Sequence, residues 1–250
     1  MNRNNSHKEL IEHIRELRKR LVISILALAA ASIFSYLYVE DIYGFLVKPL
    51  VSAASDDSKR MIYTGLTEAF VTYIKLAVFA GVIISFPVIA WQIYAFCAPG
   101  LYANEKKFFI PFLVVSPALF FIGAAFVYYF VFPVAWEFFL SFEMPGGEGV
   151  LPIQLEAKIS EYLSLVTTLI IAFGLTFQLP LVVVLLVKIG LVTVDQLRHF
   201  RKYAVVGILT VAAFITPPDV LSQILLAAPL YLLYELSIIF CAGMSRKQDA

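Results

Sequence analysis

Charge is scarce in this sequence, and so are the side chains of most enzyme chemistries. Only 15% of the 250 residues are charged and 61% are hydrophobic, whereas a soluble domain carries roughly 25% charged residues. There are three histidines, His7, His13 and His199. The first two share the segment HKELIEH but lie six apart, without the HExxH spacing that sets two imidazoles around a zinc ion on one helical face. No GxSxG turn, no GxxxxGK[ST] phosphate loop and no pair of aspartates inside an apolar run occurs. Serine hydrolysis, nucleotide hydrolysis by this chain and intramembrane aspartyl proteolysis are thereby excluded. The two cysteines, Cys97 and Cys241, both fall at the ends of apolar runs, which predicts no structural disulfide. The net charge is +1, with no basic face of the kind that binds nucleic acid. The expectation is a protein that is not an enzyme, holds no metal or cofactor, and has no nucleic-acid partner.

What the chain has instead is length of apolar sequence. Leu21–Val39, Leu76–Cys97, Phe108–Pro133 and Tyr162–Val187 each run without a charge. All of them exceed the roughly 18 residues that read as a membrane span. Two further runs follow, the short Tyr203–Thr216 and Val220–Ala242, which is apolar except for Gln223 and Glu235, separated by the prolines and aspartate of PPD. Fourteen helical residues reach roughly 21 Å, short of a hydrocarbon core of roughly 30 Å. The composition and spacing predict an all-α integral membrane protein, one polytopic domain over 1–250. Its spans are expected at about 21–39, 69–97, 108–133, 162–187, 203–216 and 220–242, after a cytoplasmic N-terminal helix over 1–20. The first run is too long, and its leader too mixed in charge, for a cleaved signal peptide. A re-entrant hairpin is the alternative for the last two runs.

Basic residues orient the spans. With six spans, fourteen of the nineteen lysines and arginines fall on the side of the two termini, and Lys48, Lys59, Arg60 and Lys158 fall opposite. Both termini are therefore expected in the cytoplasm. The outer loops, 40–68 and 134–161, contain IYGFLVKPL and VAWEFFLSF, which read as interfacial amphipathic pieces.

Polar residues at membrane depth are costly, and each invites a functional reading. Glu68 and Lys75, seven apart on one helical face, read first as interfacial snorkelling. Gln178, just before Pro180, either answers a carbonyl freed by the proline or lines a polar patch. Glu235 is either paired or snorkelling. In TPPDVLSQ, Pro217 and Pro218 stop the fifth span and Asp219 caps the sixth. On the cytoplasmic side, His13, Glu16 and Arg20 share a helical stripe by i, i+3, i+4 spacing. Glu105 lies beside Lys106 and Lys107 in FCAPGLYANEKKFF. Read by charge alone, these are a basic membrane anchor and a capped turn.

Six segments in this order, HIRELRKRL, LTEAFVTYIKLA, FCAPGLYANEKKF, FFIGAAFVYYFVFP, FGLTFQLP and FITPPDVLSQILLAAPLYLLYE, together resemble the TatC family, the receptor subunit of the twin-arginine protein translocase. The resemblance covers about residues 9–240. It implies a cupped six-helix bundle in the bacterial inner membrane, with helices 5 and 6 short and both termini inside. It implies a receptor for the twin-arginine signal peptides of folded cargo, working with single-span TatA and TatB proteins and driven by the proton-motive force. A homo-oligomer within the receptor complex is expected. The family's recognition carboxylates fall on Glu16 and Glu105, with His13 and Arg18 beside the first and Phe96, Pro99 and Leu101 shaping the loop of the second. Pro49 and Asp219 match outer-loop positions, which Glu68, Pro217 and Pro218 flank; Gln223 and Glu235 match the sixth span. At Gln178 many members carry glutamate, so this chain keeps a polar spot there that cannot titrate.

Overall fold

The computed structural model describes residues 3–54, 60–97, 106–147, 151–215 and 220–248. Glu105, Pro99, Leu101, Pro217, Pro218 and Asp219 lie outside the described residues. The described chain is mostly helical in its apolar runs: α1 (Arg3–Tyr36), α2 (Val39–Ala53), α3 (Glu68–Cys97), α4 (Lys106–Phe126), a π-turn (Val127–Val131), α5 (Phe132–Leu140), α6 (Ile159–Thr176), α7 (Leu179–Lys188), α8 (Val194–His199), α9 (Arg201–Ile215) and α10 (Val220–Gln248). Four helical rods are long and apolar enough to cross a membrane, Glu68–Phe96, Leu113–Leu140, Ile159–Lys188 and Gln223–Met244. The apolar half of α1 passes the same test only together with α2, across an 82° bend at Leu37–Tyr38. α9 has 15 residues, or roughly 22 Å.

Two compact units organise the contacts. The first is Met1–Ile42 with Tyr73–Pro117. In it, α1 and α3 run antiparallel: His13 meets Phe96, Arg20 meets Gln92, and Ser32 meets Gly81. Gly81 sets the approach. A Cβ there would lie 2.2 Å from Ser32 Oγ and 2.9 Å from the Ser32 backbone. Membrane helices gain by such close backbone contact, because lipid offers apolar side chains nothing to escape from. Gly81→Val should therefore sharply lower the amount of folded protein in the membrane, by overpacking worth about 1–3 kcal/mol. Gly207→Ala, at a glycine with open space around its α-carbon, is the control and should leave accumulation unchanged. Equal accumulation of the two variants, read by quantitative blotting of membranes, would refute the close-contact role.

The second unit is Tyr43–Thr72 with Ala118–Ala250. Its core is aromatic. Phe120, Phe132 and Phe173 are fully buried, with Val127 and Val166 between them. Gly123 and Gly174 let α4 and α6 touch: a Cβ on Gly123 would meet the Phe173 carbonyl at 2.7 Å, and one on Gly174 the Phe120 ring at 2.5 Å.

Proline chemistry explains two departures from the sequence expectations. VAWEFFLSF is not a separate interfacial piece; most of it continues the third span as α5. Pro133 does not end the helix because the π-turn precedes it. There the Phe132 N–H reaches Val127 O, one residue further back than in an α-helix, and Pro133 enters at the start of a new helical register, where its missing N–H does least harm. The fourth apolar run, expected as one helix, instead breaks at Phe177–Gln178, with Pro180 in the first turn of α7. Pro49 also sits inside a helix, α2. It deprives the Phe45 carbonyl of its helical donor. The Tyr128 hydroxyl, on the π-turn, donates to that oxygen at 2.7 Å, and Tyr162 on α6 donates to the adjacent Leu46 carbonyl at 2.9 Å. The Tyr128 bond thus supplies the donor that the proline removes, and the Tyr162 bond adds a second hold on α2.

Glu68 does not snorkel. From the first turn of α3 its carboxylate accepts the backbone N–H groups of Thr64 at 2.9 Å and Gly65 at 3.2 Å, and the Ser160 hydroxyl at 2.5 Å. Lys158 Nζ lies 3.7 Å away. Beside it, Ile62 bonds through its backbone to Ala157 and Ile159. Glu68 therefore fastens the segment before α3 to the start of α6, a role its spacing to Lys75 did not suggest.

Candidate functional site

The stripe expected on the N-terminal helix is present on α1, and α3 supplies its other wall. Arg20 donates Nε at 3.1 Å and Nη2 at 2.5 Å to Glu16 Oε1. A third donor, Arg20 Nη1, lies 3.4 Å from Gln92 Oε1 on α3. About two turns before Arg20, the His13 ring stacks on Phe96 with centroids 4.4 Å apart and planes inclined by 27°. The antiparallel register of the two helices brings these five side chains to neighbouring levels. The Glu16 side chain keeps 32% of its exposure, so the carboxylate is held at a surface and remains reachable.

The structure thus brings His13, Glu16 and Phe96 together, and adds Arg20 and Gln92. Arg18 is exposed. Two residues from Glu16 on the same helix, it points to a different face and takes no part in the cluster. Gln92 went unremarked in the sequence because a lone amide in an apolar run carries no periodic signal. Its signal was depth: it lies within a turn and a half of Phe96, near the same end of the span.

The polar residues of the later spans occupy separate places. Gln178 is half-buried at the break between α6 and α7. Glu235 accepts Arg201 Nη2 at 2.8 Å and the Tyr231 hydroxyl at 3.0 Å. Arg201 is the first residue of α9, so this pair ties the beginning of α9 to α10. Nearby, Tyr234 donates to the Leu197 carbonyl at 2.7 Å. A reciprocal capping box between Thr193 and Gln196 starts α8. At the other end of the same two helices, Gln223 Nε2 donates to the Leu209 carbonyl at 3.1 Å. Gln223 also lines an open groove of 380 Å³ with Val206, Leu209, Thr210, Ala213 and Phe214. The groove is apolar apart from Gln223 and Thr210, and Phe214 is 88% exposed. Among the described residues no group of three His, Cys, Asp or Glu side chains is placed to hold a metal ion.

A partly exposed carboxylate with a guanidinium and a stacked aromatic pair is suited to binding a cationic peptide. It offers charge-assisted hydrogen bonds and a flat apolar wall. It contains no nucleophile and base within reach of one another.

Comparison with known proteins gives the family. The family described as "Sec-independent protein translocase protein (TatC)" matches residues 12–229. The Sec-independent protein translocase protein TatC of Rickettsia prowazekii (strain Madrid E) is 49% identical over 230 residues, covering 92% of this chain and 91% of that protein. Its counterpart from Escherichia coli (strain K12) is 41% identical over 231 residues, covering 92% and 87%. A solved structure, the crystal structure of the twin-arginine translocase receptor TatC, superposes with a TM-score of 0.81 at 37% identity, covering 93% of this chain and 99% of that one.

Proposed function

Since the chain belongs to the TatC family of Sec-independent protein translocase proteins, we propose that Glu16 and its neighbours on α1 and α3 receive the arginines of twin-arginine signal peptides. The protein is a core subunit of the twin-arginine translocase, a multi-pass membrane protein that acts in a complex with other Tat subunits. The finer reading follows from the site. The observation that carries it is the reachable Glu16 carboxylate, held at the level of Gln92 and Phe96 at one end of the α1–α3 pair. A guanidinium pairs with a carboxylate through two parallel N–H donors, which lysine cannot reproduce. Two consecutive arginines ask for a second acidic group, and Glu105 is the proposed one.

The proposal places the protein in the bacterial inner membrane with both termini in the cytoplasm, as the distribution of basic residues favours. Folded cargo is exported by the proton-motive force, together with single-span TatA- and TatB-like partners. The groove beside Gln223 suits such a partner. It is largely apolar, open, and offers an amide that a polar side chain of a partner helix can meet.

A deletion strain complemented with a variant lacking Cys97 and Cys241 tests function and orientation together. Folded twin-arginine cargo should stay in the cytoplasm of the deletion strain and reach the far side of the membrane once the gene is restored. Single cysteines at Ser55 and Gly147 should react with an impermeant thiol reagent applied outside intact cells. Cysteines at Asn104 and Gln196 should not. Export without the gene would sink the function, and outside labelling of Asn104 would sink the orientation.

A further inference from the structure

Glu16 is already occupied. Both short contacts from Arg20, Nε at 3.1 Å and Nη2 at 2.5 Å, end on the same oxygen, Oε1. A carboxylate oxygen accepts about two hydrogen bonds, so Oε1 is filled. Bidentate pairing with an incoming guanidinium needs both carboxylate oxygens. While Arg20 stays, only Oε2 can be offered, and the full fork-to-fork geometry is unavailable. The third contact shows where Arg20 can go: Nη1 already lies 3.4 Å from Gln92 Oε1, a neutral acceptor on α3 that can keep part of the guanidinium when Glu16 lets go.

We propose that Arg20 is a resident occupant of the receptor carboxylate, chemically equivalent to the ligand, and that a twin-arginine peptide binds by displacing it toward Gln92. This rests on the reading of Glu16 as the signal-receiving carboxylate. The consequence is a threshold. Arg20 weakens every cationic ligand through its own charge, and it weakens most the arginine fork, which needs both oxygens, whereas a lysine can take the open Oε2 with Arg20 in place. Peptides with one arginine, or with lysines, start weaker and fall below useful occupancy first. A ligand with two arginines, which engages a second acidic group as well, stays bound. Basic segments of unrelated proteins in the cytoplasm are thereby kept off a site that must remain reachable. An i,i+4 ion pair near a surface is weak, so the threshold is about two- to fivefold in affinity, large enough to exclude marginal ligands and small enough for the right one to overcome.

The test uses the full chain with its Tat partners in native membranes, and labelled signal peptides carrying either the twin arginines or two lysines in their place. R20Q should bind the twin-arginine peptide about two- to fivefold more tightly, and the lysine peptide more tightly by a smaller factor. R20K, which keeps the charge but loses the fork, should move the same way by less, and it serves if R20Q fails to accumulate. In the E16Q background R20Q should bring no gain, because there is no longer a carboxylate to vacate. Affinity in R20Q and R20K equal to or below wild type, with E16Q impaired, overturns the occupant role: Arg20 then only orients Glu16. Unchanged binding in E16Q overturns the reading of Glu16 itself.

Discussion

Glu16→Lys should lower the affinity for a twin-arginine signal peptide about 10- to 40-fold while the protein still inserts and accumulates. Losing a charge-assisted pair is worth about 1.5–3 kcal/mol, and every 1.4 kcal/mol is tenfold. The lower half of that range applies because the Glu16 side chain retains a third of its exposure and water screens it. The protein itself loses little. The Glu16–Arg20 contact is an i,i+4 pair worth about 0.2–0.5 kcal/mol to the helix, and the stacking of His13 on Phe96 is untouched. Replacing the carboxylate with an ammonium sets that charge against Arg20 and repels the incoming arginine as well, so the reversal should exceed the effect of Glu16→Gln. Glu105→Lys should act in the same direction. The measurement is peptide binding to membranes holding equal amounts of each variant, alongside the rate of cargo export. Wild-type export by both reversals would leave these carboxylates as solvated surface charge.

How much of this was legible beforehand varied with the kind of signal. The apolar runs gave the helical rods, because hydrocarbon forbids every backbone arrangement except one that bonds to itself. The α1 stripe was legible for a similar reason: His13, Glu16 and Arg20 are neighbours by helical spacing alone. What the spacing left undecided was everything joined across the chain. Arg20 and Gln92 are 72 residues apart, and Glu68 and Ser160 are 92 apart. No local pattern announces either contact. The prolines were legible as events but not as outcomes. Pro133 reads as a stop until the π-turn is seen to absorb it, and Pro49 reads as a loop residue until Tyr128 is found on the carbonyl it frees. Pro217 and Pro218 stand between α9 and α10, both of which end or begin close to them. Pro180 marks the place where α6 gives way to α7 at Gln178, yet the chemistry of Gln178 depends on neighbours that the sequence does not fix.

Lengthening the α9–α10 pair should leave insertion and signal-peptide binding intact and abolish most transport. Two polar ties bound this pair. Arg201 pairs with Glu235 near one end and Gln223 bonds to the Leu209 carbonyl near the other. Between the ties α10 runs from Gln223 to Glu235, roughly 18 Å of helix, and α9 from Arg201 to Leu209, roughly 12 Å. A hydrocarbon core is roughly 30 Å thick. α10 itself has 29 residues, so the shortness lies in the apolar level between its polar ties, and in α9. Tilting does not help, because tilt shortens the reach of a helix that is too long. A hydrocarbon core matched to the level between these ties would thin beside this edge, at a cost of fractions of a kcal/mol per Å. We propose that such a thinned level, beside the groove proposed for a single-span partner, is where passage of a folded protein begins. Four leucines inserted after Val205 and four after Leu226 add roughly 6 Å to each helix. They keep the faces nearly aligned, since four residues make a little more than one turn. Both insertions fall between the ties, so in the double variant Arg201 can still meet Glu235 and Gln223 can still meet Leu209. Either insertion alone puts the ties out of step and should lower accumulation, which makes the double variant the informative one. It should accumulate, bind signal peptide with wild-type affinity, and export cargo at a small fraction of the wild-type rate. Full export by the double variant would show that the short apolar level is incidental, and the role of this edge would then rest on the Gln223 groove alone.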